Sequence, residues 1–162
     1  MKKIGIISLV FILIDFIVKI IVNSNMNVYD SIIIIPNFFS ITYVRNIGAA
    51  FSIMENSRIL FIIIGFVALI LIYKYLIMNK ILNKYLMISY SMLIGGIIGN
   101  MIDRIIYGYV IDYLSFNIFG YNAPIFNLAD TFIVISIIML LLYEVGGSHA
   151  RNSRKRVFQK IR

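Results

Sequence analysis

The sequence contains no cysteine and only one histidine among its 162 residues. Without cysteine, the chain cannot form a disulfide, a thiolate metal site or a thiol nucleophile of its own. His149 lies in a polar tail beyond the last apolar run, so a multi-histidine metal site is excluded and histidine general-base chemistry is disfavoured. The sequence therefore predicts no metal site and no cofactor.

Charged residues are also scarce, at 14%, whereas 61% of the residues are hydrophobic and the mean hydropathy is +0.95. The apolar residues fall into four long runs, and crossing a bilayer takes roughly 20 such residues. We therefore expect a mainly α integral membrane protein, with one membrane domain over residues 1–162 and a small β-rich element at the outer face. The predicted spans are residues 4–22, which we expect to be a retained helix and not a cleaved signal peptide, 59–78, 85–102 and 128–145.

The placement of basic residues predicts the orientation. Lys2, Lys3, Lys74, Lys80, Lys84 and a basic tail over residues 146–162 fall on one side of the predicted spans, and only Arg45, Arg58 and Arg104 fall on the other. The positive-inside rule then puts both termini and the tail in the cytoplasm. This placement explains the net charge of +8 better than nucleic-acid binding does, so we expect membrane lipid and no nucleic acid as a partner.

Two segments are predicted to face outward. Residues 23–58 contain two stretches, 31–36 and 38–44, that are rich in β-branched and aromatic residues and favour short strands interrupted by Pro36. Their apolar character indicates a place at the membrane interface. The other outer segment, residues 103–125, carries acidic residues.

Three of the seven acidic residues, Asp103, Asp112 and Asp130, lie at the edges of apolar segments. A carboxylate there is costly and indicates a function. Bulky apolar neighbours should desolvate Asp112 and raise its pKa. Asp130 follows Asn127 by three positions, a spacing that also fits a helix capping box.

Polar groups on the first and third spans allow two interpretations each. Gly95 and Gly99 can let another helix pack closely and can make room for a guest beside Asn100 and Asp103, and the two roles do not exclude each other. Arg104 either forms an ion pair that ends the helix, or orients an acidic neighbour or meets lipid headgroups. Similarly, Asp15 and Lys19, one turn apart, either neutralise each other or support a site, and Asn46 to Phe51 is either a strand-end turn or part of that site.

Two carboxylates held close together share one proton over a wide pH range. Such a pair can activate water and protonate a leaving amine, as in aspartic proteases. The residues leave open whether Asp103 or Asp112 partners Asp130. The alternatives are a small proton-coupled transporter or ion pathway, which the clustering of the acids at one face and the absence of a visible inverted repeat disfavour, and a non-enzymatic scaffold.

Five motifs occur in order along the chain, and together they resemble the lipoprotein signal peptidase (signal peptidase II) family. They are Asp15-x-x-x-Lys19, Asn46-Ile47-Gly48-Ala49-Ala50-Phe51, Gly95-Gly96-x-x-Gly99-Asn100-x-x-Asp103-Arg104, Val110-Ile111-Asp112-Tyr113 and Phe126-Asn127-Leu128-Ala129-Asp130. Two positions depart from the usual pattern: Tyr113 stands where the family usually has Phe, adding a hydroxyl beside Asp112, and Ile47 stands where Thr is common.

The resemblance implies an aspartic endopeptidase of the bacterial cytoplasmic membrane, with its active site towards the outer face. It implies a catalytic pair, Asp112 and Asp130, and supporting or substrate-binding roles for Asp15, Lys19, Asn46, Gly48, Asn100, Asp103, Arg104 and Asn127. The implied substrate is a prolipoprotein whose cysteine already carries diacylglycerol, cut just before that cysteine, and peptide antibiotics such as globomycin are implied inhibitors. The outer segment over residues 23–58 is expected to cradle this substrate.

Overall fold

Four helices long and apolar enough to cross a membrane, together with a small antiparallel sheet, form the described part of the chain. The structure is a computed structural model that describes residues 1–48, 57–78 and 83–160, with side chains up to residue 146. This architecture confirms the predicted class, a mainly α membrane protein with a small β-rich element. Lys80 and the Ala49–Phe51 part of the second motif lie outside the described residues.

The helices follow the four apolar runs. They are α1 (Lys2–Asn25), α2 (Arg58–Met78), α3 (Lys84–Ile106) and α4 (Leu128–Lys160). The apolar part of α4 ends at Gly146, and the helix continues through the basic segment. At the start of α3, the side chain of Asn83 accepts a hydrogen bond from the Leu86 N–H at 2.8 Å, which caps an otherwise unpaired donor.

The glycines of α3 are used for packing between helices. A Cβ at Gly95 would lie 2.7 Å from the Cβ of Phe11 in α1, and a Cβ at Gly96 would collide with the backbone oxygen of Ala129 in α4. The expectation that these glycines make room for a guest is therefore wrong. The space they leave is occupied by neighbouring helices of the same chain, and α3 forms the centre of the bundle.

The sheet has the strand order β1-β2-β3-β4, and neighbouring strands are antiparallel. Its strands are β1 (Ser31–Ile35), β2 (Phe39–Asn46), β3 (Val110–Ile118) and β4 (Tyr121–Asn122). The first two strands were predicted, whereas β3 and β4, which lie within residues 103–125, were not. In register, Val44 of β2 lies opposite Asp112 of β3.

The sheet packs on the end of α1 and divides its residues between two faces. Ile111 and Tyr113 of β3 join Val22 of α1 in a buried apolar cluster. Because successive side chains of a strand point to opposite faces, Val110 and Asp112 face the other way and line a cavity. The same alternation of side chains therefore buries Ile111 and Tyr113 on one face of β3 and directs the Asp112 carboxylate into the cavity on the other.

Candidate active site

Lys19 is buried between two carboxylates. Its Nζ lies 2.8 Å from Asp15 Oδ2 and 2.9 Å from Asp103 Oδ2, and it donates a hydrogen bond to Asn100 Oδ1 at 3.1 Å. Asp15 also accepts the Ala129 N–H at 2.9 Å. The i,i+4 pair of Asp15 and Lys19 is thus present, but it is not self-contained, because Lys19 binds a second acid from another helix.

Asn100 connects this buried charge cluster to Asp130. Because its Oδ1 accepts from Lys19, which can only donate, its amide nitrogen must point the other way. That nitrogen donates to Asp130 Oδ1 at 2.7 Å. Lys19 on α1 therefore fixes the orientation of the Asn100 side-chain amide, and this amide in turn donates a hydrogen bond to Asp130 on α4.

Asn46 holds Asp112 by the same principle. The backbone N–H of Gly48 donates to Asn46 Oδ1 at 2.9 Å, which leaves the amide nitrogen of Asn46 to donate to Asp112 Oδ2 at 2.8 Å. Gly48 thus takes part through its backbone.

Asn127 contacts both carboxylates. Its Oδ1 accepts the Asp130 N–H at 2.9 Å, and its own N–H donates to Asp130 Oδ2 at 3.3 Å, which is the reciprocal pairing of a capping box. The amide nitrogen of Asn127 donates to Asp112 Oδ1 at 2.6 Å and to Asn100 Oδ1 at 3.1 Å. The cap interpretation of Asp130 is correct, and the same residue also belongs to the polar network.

Asp112 and Asp130 line one cavity of about 660 Å³. The other polar side chains around it are Asn46, Asn100, Arg104 and Thr131, and the remaining wall is apolar, with Phe61, Val110, Ala123, Pro124, Ile125, Phe126, Val134 and Ile135. Asp15, Lys19 and Asp103 lie behind this wall and do not line the cavity. Asp15 and Asp103 are therefore bound to Lys19, whereas Asp112 and Asp130 face the cavity.

Arg104 lies in the last turn of α3, but among the described residues it does not form the ion pair with Asp103 that one of its two interpretations gave it. Its guanidinium donates to the backbone oxygens of Asn100 at 3.4 Å and Gly48 at 3.2 Å, and lies over the ring of Phe61 with 4.8 Å between Cζ and the ring centroid. The α3 helix continues to Ile106. Asp103 instead accepts the Ile111 N–H at 3.1 Å, so it ties α3 to the start of β3.

The electrostatic environment of Asp112 favours its protonated form. Burial, followed by the negative charge of Asp130, raises its pKa from 3.8 to about 7, and the hydrogen bonds from Asn46 and Asn127 oppose this rise. Such a carboxyl can exchange a proton near neutral pH, as acid–base chemistry requires.

Tyr113 follows Asp112 in β3 and belongs to the buried apolar cluster. It lies on the opposite face of β3 and accepts the N–H of Leu128 at 3.2 Å, at the first turn of α4. The residues that the sequence did not predict are those of the cavity wall, chiefly Phe61 and residues 123–126. They are ordinary apolar residues, and nothing in the sequence distinguishes them from the rest of a membrane protein.

Comparison with known proteins gives one family. The family model described as "Signal peptidase (SPase) II" matches residues 7–145. A lipoprotein signal peptidase of Halothermothrix orenii is 45% identical over 140 residues, covering 85% of this chain and 92% of that protein. The lipoprotein signal peptidase of Staphylococcus haemolyticus is 38% identical over 137 residues, covering 85% and 87%.

Solved structures share the fold. One, described as "Bacterial membrane enzyme structure by the in meso method at 2.3 A resolution", has a TM-score of 0.84 and 33% identity, and the match covers 91% of this chain and 90% of that one. A second membrane enzyme structure, at 1.9 A resolution, has a TM-score of 0.79 and 34% identity over 88% and 92% of the two chains.

Proposed function

This chain belongs to the signal peptidase II family, and from that premise we propose that it is an aspartic endopeptidase that removes the signal peptide from diacylglyceryl-modified prolipoproteins. The cut falls just before the lipidated cysteine. Asp112 and Asp130 are the catalytic pair, and Asp15, Lys19, Asn46, Gly48, Asn100, Asp103, Arg104 and Asn127 position them or contact the substrate.

The observation that carries this proposal is the division of four aspartates, of which Asp15, Asp103 and Asp112 are buried and Asp130 is half-buried. Asp15 and Asp103 each lie within 3 Å of the ammonium group of Lys19, so they serve as its counter-ions. Asp112 and Asp130 face the cavity and accept hydrogen bonds from neutral amide and backbone N–H groups. Neutral donors orient a carboxylate without fixing its charge, so this pair remains able to take up and release a proton.

The reaction uses one proton shared by the pair. The ionised carboxylate removes a proton from water, and the water oxygen attacks the scissile carbonyl carbon while the protonated partner transfers its proton to the carbonyl oxygen. The resulting gem-diol collapses when a carboxyl proton passes to the leaving amine of the lipidated cysteine. The free amine and the signal-peptide carboxyl group are the products.

The cavity wall suits a substrate that arrives through the bilayer. Phe61, Val134 and Ile135 come from α2 and α4, two membrane-spanning helices, and form part of the apolar lining. An apolar signal helix can therefore approach between these spans without leaving a lipid environment. Arg104, which also lines the cavity, would contact a backbone carbonyl of the substrate. The outer segment over residues 23–58, which contributes Asn46 to the cavity lining, would cradle the substrate.

A reconstituted cleavage assay tests the function. Purified protein in lipid vesicles should cleave a prolipoprotein after its cysteine has been modified with diacylglycerol, should leave the unmodified precursor intact, and should be inhibited by globomycin. Equal cleavage of both precursors would contradict the proposed substrate. Proton flux into the vesicles without any cleavage would instead support the transporter alternative.

A further inference from the structure

Two hairpin turns meet at one end of the sheet. The β1–β2 turn is joined to the end of β3, just before the β3–β4 turn, by a hydrogen bond from the Asn117 N–H to the Phe38 oxygen at 2.8 Å. We call residues 32–39 and 117–122 the hairpin tip. It lies at the ends of β2 and β3 opposite to Asn46 and Val110, and so away from the paired aspartates.

The surface of the hairpin tip is mainly apolar and carries no charged residue. Residues 31–44 and 113–129 contain no Asp, Glu, Lys or Arg. Strand β1 is an edge strand, and Ile32, Ile33, Ile34 and Ile35 are all exposed in it. Soluble proteins place charges, especially lysine, on such edges to prevent aggregation, and none is present in either stretch.

Several polar groups in the tip and beside it pair with one another. The Asn117 side chain donates to Asn122 Oδ1 at 2.8 Å and accepts the Gly120 N–H at 2.9 Å. At the base of β1, the hydroxyls of Ser31 and Thr42 are 2.8 Å apart. Internal pairing of this kind is required where water is scarce, because an unpaired polar group is costly there.

Phe119 gives the most specific indication that the hairpin tip contacts something other than water. It occupies the left-handed region with φ of 52°, beside Gly120 with φ of 86°, in a two-residue hairpin turn. Such turns favour Asn-Gly, since non-glycine residues are strained at positive φ. Phe119 is strained and its side chain is fully exposed. In water both features are unfavourable, and strain that persists in a fold often marks a functional contact.

The chain connections hold the sheet close to the membrane surface. Ser31 follows the end of α1 at Asn25 by six residues, and Val110 follows the end of α3 at Ile106 by four. At about 3.6 Å per residue at most, these links keep the sheet within roughly 20 Å of the helix ends.

We infer that the hairpin tip inserts into the bilayer leaflet on the sheet side and anchors the sheet there, with Phe38, Phe119 and the β1 isoleucines in contact with lipid. Insertion is shallow, because the outer edge of β1 has no strand partner and an unpaired strand edge does not enter hydrocarbon. The side chains should therefore reach roughly 5–10 Å into the boundary between headgroups and acyl chains. The anchor sets the height of the sheet, and with it of Asp112, above the membrane.

Single tryptophans provide the test, since the chain contains none. Phe119→Trp and Phe38→Trp report on the two turns, and Phe66→Trp is the matched control, since Phe66 is exposed near the middle of α2. Each protein is reconstituted in vesicles containing lipids brominated at shallow or deep acyl positions. We expect both tip variants to be quenched most by shallow bromine, Phe66→Trp most by deep bromine, and both tip variants to be shielded from acrylamide relative to free N-acetyltryptophanamide.

Two results would overturn the inference. Tip tryptophans that acrylamide quenches as it does the free indole, and that bromolipids do not quench, would place the tip in water. Tip tryptophans shielded from acrylamide but unquenched by bromine at any depth would show that protein covers the tip. If Phe119→Trp fails to fold, Phe38→Trp decides the question alone. The readout is lipid contact, so it does not depend on peptidase activity.

Discussion

Lys19 connects two parts of the polar network that are far apart in the sequence. It neutralises Asp15 and Asp103 and fixes the orientation of Asn100, whose amide then holds Asp130. A buried cation with three such partners has its donors satisfied, whereas its removal would leave two carboxylates buried without a counter-ion. We therefore assign Lys19 a positioning role, since it does not line the cavity.

Replacement of this lysine should be costly. Lys19→Met is expected to lower the free energy of unfolding by about 3–5 kcal/mol, because it breaks a buried ion pair by removing one partner. Chemical unfolding in detergent micelles measures the loss. Lys74→Met, at an exposed position near the end of α2, should change little, and adding Asp103→Asn to Lys19→Met should restore part of the stability. Equal unfolding curves for Lys19→Met and Lys74→Met would refute this role.

The raised pKa of Asp112 makes stability depend on pH. The folded chain holds a proton up to about pH 7 that the unfolded chain releases near 3.8. Unfolding between these values releases a proton, so the free energy of unfolding should fall as pH rises through the window. Asparagine does not ionise, so the Asp112→Asn protein should not show this fall with rising pH. Above pH 7 its free energy of unfolding should exceed that of the unmodified protein by a few kcal/mol at most.

Unfolding titrations at mildly acidic and mildly alkaline pH check this expectation. Glu144→Gln, which changes an exposed carboxyl of α4, serves as the control and should follow the unmodified protein at both pH values. An Asp112→Asn protein that is less stable than the unmodified protein at alkaline pH would contradict the prediction, because it would mean that the charged carboxylate stabilises the fold.

At the scale of elements, the contact between α3 and α4 depends on Gly96. A methyl group there would collide with the backbone of Ala129, which cannot move without shifting Asp130 beside it. Gly96→Ala should therefore cost about 1–3 kcal/mol of stability and also reduce cleavage. Gly5→Ala is the matched control, because a Cβ at Gly5 has no heavy atom within 4 Å. Similar behaviour of the two variants would rule out the packing role.

The elements differ in how far the sequence predicts them. Long apolar runs predict the helices, and the spacing of Asn127 and Asp130 predicts the cap of α4. Strand β3 was not predicted, because Val110, Ile111 and Tyr113 are all apolar and the segment therefore lacks the polar–apolar alternation of a half-buried strand. The spacing of the glycines in α3 could not distinguish helix packing from a ligand-binding groove, because the outcome depends on which helix lies opposite them.

At the scale of the whole molecule, the motifs identify the polar residues of the site. They do not predict which acids pair with Lys19 and which line the cavity. Asp15 and Lys19 are one helical turn apart, so their pairing was predictable. The pairing of Lys19 with Asp103 joins α1 to α3 and depends on how these helices pack. The sequence therefore left Asp103 and Asp112 as rival partners of Asp130, whereas the structure binds Asp103 to the lysine and leaves Asp112 in the cavity.

The orientation of the whole chain is a proposal that rests on the distribution of basic residues. With both termini in the cytoplasm, the sheet and the paired aspartates face outward. The chain has no cysteine, so single-cysteine variants report without background. In intact cells, an impermeant maleimide should label Ser24→Cys, near the end of α1, and should label Lys84→Cys, at the start of α3, only after permeabilisation. The reverse pattern would contradict the orientation.

Cleavage by the Asp112→Asn and Asp130→Asn proteins tests the central claim most directly. Asparagine keeps the size of each side chain but cannot accept or donate the catalytic proton, so turnover of a lipid-modified prolipoprotein should fall by at least about 10³-fold in each variant, comparable to the loss of a major catalytic group. Asp30→Asn, at an exposed carboxyl, should leave turnover unchanged, and all three proteins should remain folded. Near-normal cleavage by either active-site variant would contradict the claim that these two aspartates carry out the reaction.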